Sequence, residues 1–91
     1  MRELVLSARF RKDLKRICRQ QAPLGVIDEA VALLMNDADI PASFKDHALI
    51  GGWKSYRELH LAPDLLLIYK KGDDNTLKLA AAGSHSELFD K

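Results

Sequence analysis

The sequence predicts an α+β fold of order βααβββ, with two N-terminal helices packed on one face of a mainly antiparallel sheet. Three observations carry that reading. Apolar residues recur at helical spacing from Phe10 to Met35, the second half alternates or runs apolar in strand-length segments, and Gly, Pro and Asn/Asp clusters punctuate those segments. At 91 residues, 47% of them hydrophobic, the chain allows one domain, 1–91, and no second core.

Leu4, Val5 and Leu6 read as a short strand ending at Ser7, a good N-cap. Over 8–20, Phe10, Leu14, Ile17 and Cys18 fall at i, i+4, i+7 and i+8 and mark the buried stripe of a helix, which makes Cys18 buried and inert. Arg9, Arg11, Lys12, Lys15, Arg16 and Arg19 form its cationic outer face, by default a solvated one. Pro23 fits the first turn of a second helix continued by Leu24, Ile27, Val31, Leu34 and Met35, with Asp28 and Glu29 near its positive end. Beyond Pro41 the chain is irregular through His47, and Gly51-Gly52 marks a reversal.

Residues 53–61 then read as a strand whose alternation sends Tyr56, Glu58 and His60 to one face and Ser55, Arg57, Leu59 and Leu61 to the other, with Trp53 and Tyr56 packing. Ala62-Pro63-Asp64 is a turn, and 65–70 is apolar enough for a central strand buried on both faces. A hairpin loop at 71–75 leads into the last strand, 76–82, closed by Gly83. In the tail, Ser84 with Glu87 downstream is suited to cap one helical turn.

Composition narrows the function. The 14 Lys+Arg against 13 Asp+Glu exclude a protein held to nucleic acid by bulk charge. That neutrality is a sum of unlike parts. Through Ala22, five Arg and two Lys face only Glu3 and Asp13, a net of +5, and the remainder is −4. The basic quarter suits an RNA backbone or an acidic protein segment. A single cysteine excludes an intrachain disulfide and a zinc knuckle and suits a reducing cytoplasm. Charges at Arg9, Arg11 and Lys12 break the N-terminal apolar run before it could form a signal core, and no apolar stretch is long enough to span a bilayer, so neither export nor a membrane partner is expected.

His47, His60 and His85 all fall in the second half. Histidine titrates nearest neutral pH and suits general acid–base work. An antiparallel meander returns the ends of its strands to one edge, which would make His60, Asp64 and His85 neighbours. The bland alternative is three separate surface or structural histidines. Three His with Asp64 could also ligate a transition metal, although no spacing preorganises such a site, and no cofactor is expected. Phe89 could stack on a nucleobase or simply pin the tail.

The segments Phe44-Lys45-Asp46-His47-Ala48-Leu49, Gly52-Trp53-Lys54, Tyr56-Arg57-Glu58-Leu59-His60, the Pro63-Asp64 turn with 65–69, and Gly83-Ser84-His85-Ser86-Glu87-Leu88-Phe89 resemble the YafQ branch of the RelE-like toxins. The resemblance covers the second half almost continuously and the first half in layout. It implies a compact RelE-like fold and the toxin of a type II toxin–antitoxin system. Such a toxin is an endoribonuclease that cuts mRNA, commonly in the ribosomal A site, is neutralised by a cognate antitoxin, and reaches operator DNA only through that complex. The catalytic positions it implies are His47, Glu58, His60, Asp64 and His85, with Phe89 holding RNA. Relatives usually carry an Arg at the position of Ala81, whose absence leaves a deficit of positive charge that Arg57, Lys45 or Lys54 either fills or leaves open and that bears on cleavage rate, not fold; they also carry an aromatic at the position of Leu65. Rival readings are a non-catalytic antitoxin-binding module of the same fold, metal-dependent hydrolysis, and a gyrase-poisoning relative, which would lack the histidines.

Overall fold

Ser7 ends the first strand and starts the first helix by two hydrogen bonds of one hydroxyl: Oγ accepts from Phe10 N at 2.9 Å and donates to the Ala80 carbonyl at 2.7 Å. The computed structural model describes residues 2–20 and 24–89. Its elements are β1 (Glu3–Leu6), α1 (Ala8–Arg19), α2 (Leu24–Met35), β2 (His47–Ala48), β3 (Arg57–Ala62), β4 (Leu65–Lys71), β5 (Thr76–Gly83) and α3 (His85–Phe89), with 3₁₀ turns at Ala42–Phe44 and Gly51–Trp53. The expected helix-opening Pro23 lies outside the described residues. Asp28 and Glu29 fall beyond the first turn of α2, where the helix dipole has little hold on them.

The strands form one sheet in the order β1-β5-β4-β3-β2, parallel between β1 and β5 and antiparallel elsewhere. β4, the central strand, is buried on both faces, as its apolar run requires. Leu65, Leu67 and Tyr69 pack with Leu59, Leu61, Leu77 and Leu79 against Phe10 and Ile17 of α1 and Ile27, Ala30 and Leu34 of α2. Leu66 and Ile68 face the other way and build a smaller core with Ala80, Ala81 and Leu88 of α3, joined by Leu49, Trp53, Tyr56 and Phe89.

Three expectations are corrected. The strand predicted from Trp53 begins at Arg57: residues 51–53 form a 3₁₀ turn, Ser55 takes φ 81°, and Trp53 meets Tyr56 edge-on at 5.6 Å. The two-residue strand β2 lies in the stretch expected to be irregular. On α1 the buried stripe runs Phe10, Asp13, Ile17 instead of through Cys18, which is exposed. The helical set 10-13-17 is as regular as 10-14-17-18, and a charged residue in it masked the choice.

Candidate active site

The sheet face opposite α1 and α2 gathers the titratable side chains. Alternation along β3 brings Glu58 and His60 to it, and the register of β2 sets His47 opposite Glu58. Glu58 is only 3% exposed. Its Oε1 lies 3.2 Å from His47 Nε2 and 3.0 Å from His60 Nε2. A carboxylate loses its hydration at that depth, and two imidazole edges replace it. On the far side of its ring, His47 Nδ1 sits 2.7 Å from the Lys45 carbonyl. A carbonyl only accepts, so this contact calls for a hydrogen on Nδ1 and turns Nε2 toward the carboxylate.

From there the aromatic rings continue as a file. Ring centroids are 5.6 Å apart for His47–His60, 5.8 Å for His60–His85 and 5.9 Å for His85–Phe89. The file crosses β2, β3 and α3 and ends on Phe89, past an exposed His85. The meander argument therefore holds for His60 and His85. Asp64 reaches the same edge on another flank: it is exposed in the β3–β4 turn and, with Leu65, Gly83, Ser84, Glu87, Ile17 and Gln20, lines a cleft of about 340 Å³. A second cleft of about 300 Å³ runs past His60, between Lys45 and Pro63.

His47, Glu58 and His60 offer three ligand atoms within 4.8 Å of one another, so the described residues that could hold a metal ion are these, in place of three histidines with Asp64.

A family model described as the bacterial toxin of a type II toxin–antitoxin system, YafQ, matches residues 2–90. The chain belongs to the YafQ toxin family. The mRNA interferase toxin YafQ of Escherichia coli K12 is 36% identical over 89 residues, 97% of this chain and 96% of the relative. A metal-bound toxin from Helicobacter pylori superposes with a TM-score of 0.91 at 42% identity, covering 98% of this chain and all of that one. The toxin of the E. coli DinJ–YafQ toxin–antitoxin complex superposes at 0.88, with 36% identity and 97% of each chain covered.

Ala81 stands where the resemblance implies an arginine. It is fully buried among Leu66, Ile68, Ala80 and Leu88, a methyl filling the small core beneath the site. Of the three cations that could fill the deficit there, Arg57 is committed elsewhere. It belongs to the helix-side face, and its Nε donates to Asp46 Oδ1 at 3.0 Å. Lys54 is exposed at the end of the 51–53 turn, and Lys45 flanks His60 in the second cleft.

Sequence reasoning missed Asp13, buried at 4% exposure, and the inward use of two cations on α1. Arg9 Nη2 donates to the Glu87 carbonyl at 3.0 Å, and its guanidinium carbon lies 5.8 Å from the centre of the Trp53 ring. Arg16 turns toward Asp13 and Glu87. The signal was available: Asp13 stands three residues after Phe10 and four before Ile17, inside the stripe.

Proposed function

We propose that this YafQ-family toxin is a metal-independent endoribonuclease that cleaves mRNA on the ribosome, with His60 and His85 exchanging protons with the substrate. The supporting observation is the file of three imidazoles anchored at one end on a buried carboxylate. His60 directs Nε2 at Glu58, which leaves Nδ1 to accept the proton of a 2′-OH. The 2′-oxygen then attacks the adjacent phosphorus, and the bond to the 5′-oxygen breaks. His85, exposed at the start of α3, donates the proton that the leaving oxygen takes up. His47 and Glu58 orient His60, and solvent takes the proton from His60 and returns one to His85. Lys45 supplies positive charge near the phosphate, and Asp64, across the first cleft, contacts the neighbouring nucleotide. Phe89, ring to ring with His85, stacks on an unpaired base.

The reaction product of such a step is a 2′,3′-cyclic phosphate and a free 5′-OH, and inhibition of translation follows from the loss of message. A cognate antitoxin neutralises the toxin, and operator DNA is reached only through that complex.

One experiment tests the assignment. Purified wild type should cut a reporter mRNA on ribosomes at an unchanged rate in a transition-metal chelator with free Mg²⁺ held constant, and folded His85→Ala should be slower by about 10²-fold or more. Undiminished cleavage by His85→Ala would overturn the acid–base reading. Loss of wild-type activity in chelator would overturn metal independence.

A further inference from the structure

We propose that Arg16 and Glu87, backed by the buried Asp13, are positioning residues that set His85 in place for proton transfer. The inference rests on the proposed role of His85. Strand β1 pairs with β5 only from Thr76 to Leu79. Beyond that register, side chains from α1 complete the edge of β5. Asp13 Oδ2 accepts from Ala82 N at 3.0 Å, and Arg16 Nη2 donates to the Ala82 carbonyl at 2.9 Å, so the two residues satisfy one peptide position as a neighbouring strand would. Arg16 Nη1 donates to Asp13 Oδ1 at 2.8 Å, which closes the loop and gives the buried carboxylate its counter-charge.

From this anchored guanidinium the third nitrogen turns to the tail. Arg16 Nε lies 3.1 Å from Glu87 Oε2, an ion pair that lacks the alignment of a hydrogen bond. The other Glu87 oxygen accepts from Ser84 N at 2.8 Å, and Ser84 Oγ accepts from Glu87 N at 3.2 Å, a reciprocal cap around His85. Helix α3 has five residues, too few to persist alone, so its orientation comes from these contacts and from Leu88 in the small core. Gly83 shows how closely the parts are set. A Cβ there would lie 2.5 Å from Arg16 Nη2 and 2.8 Å from Glu87 Oε1.

Nη1 and Nη2 of Arg16 donate to Asp13 and to the Ala82 carbonyl, and Nε is turned toward Glu87. Its effect on the reaction passes through the geometry of His85.

The test is single-turnover cleavage of a reporter mRNA on ribosomes by the full chain, read as the rate at saturation and the toxin concentration giving half of it. Glu87→Ala alters an exposed side chain and should fold as wild type. It is expected to lower the saturating rate by about tenfold or more, because small misplacements of a reacting group are costly, with half-saturation within about twofold. Its His85 ring resonances should broaden or shift, while those of His47 stay in place. Arg16→Lys, which keeps the charge but not the fork, should fall between wild type and Arg16→Gln. Wild-type saturating rates in folded Glu87→Ala, with His85→Ala inactive, would overturn the proposal. An active His85→Ala would instead overturn the acid–base reading on which it rests. Should Arg16→Gln fail to fold, Glu87→Ala decides alone.

Discussion

At the residue scale the site is held by side chains whose hydrogen-bonding capacity is spent on fixed partners. Glu58 takes two imidazoles, and the loop carrying His47 is tied down from the opposite sheet face. There Tyr69 Oη donates to Asp46 Oδ1 at 2.7 Å, and Asp46 also receives Arg57. Burial first, and then the Asp46 carboxylate beside it, push the Tyr69 hydroxyl well above its ordinary value of 10.0. A folded-state value above the unfolded one gives stability that is complete below the unfolded value and lost as pH rises toward the folded one. The protein should therefore lose stability above about pH 10, where unfolded tyrosine ionises. Tyr69→Phe should flatten that alkaline limb in urea titrations while costing about 1 kcal/mol at neutral pH for the missing hydrogen bond. An alkaline limb unchanged in Tyr69→Phe would refute this. None of that coupling was legible in the sequence, where Asp46 and Tyr69 stand 23 positions apart in unrelated segments. His60 and His85 were legible because a meander has only two edges.

At the element scale the smallest pieces carry the most consequence. β2 is two residues long, below any periodic signal, yet its register with β3 puts His47 against Glu58. By contrast β4 could be read from its apolar run alone, since only a strand buried on both faces supports five consecutive apolar residues here. α3 was foreseen as a capped turn from Ser84 and Glu87, but its tether to α1 was not, because Asp13 and Arg16 looked like members of a solvated charged face. Gly83 joins β5 to α3 at φ 152°, and side chains crowd the space a Cβ would need. Gly83→Ala should cost about 1–3 kcal/mol and misplace α3. Acid should release the same element. Hydrogen bonding from the Ser84 backbone, then the charge of Arg16, hold the Glu87 carboxyl below its ordinary 4.5, so its contribution is complete above that value and lost as pH falls through the lowered one. Amide exchange in 85–89 should accelerate in that range before the sheet amides respond. Simultaneous release of both would show that α3 is not separately tethered.

At the scale of the whole molecule, the near-neutral total conceals two faces with different tasks. Arg9 and Arg16 turn inward to α3, whereas Arg11, Lys12, Lys15 and Arg19 stay exposed on α1. α1 lies on the helix side of the sheet, and Glu58, His60 and His85 lie on the other. The exposed cations are expected to act in the encounter with a polyanion such as the ribosome. Replacing Lys12 and Lys15 together by Gln should raise the toxin concentration needed for half-maximal cleavage and flatten its dependence on salt between about 50 and 200 mM, since fewer counterions are released. The saturating rate should stay within about twofold of wild type. That pattern is the inverse of the one expected for Glu87→Ala, so the two variants separate capture from chemistry. A fall in saturating rate for the lysine pair, with half-saturation unchanged, would place the basic face in the reaction itself and refute the division.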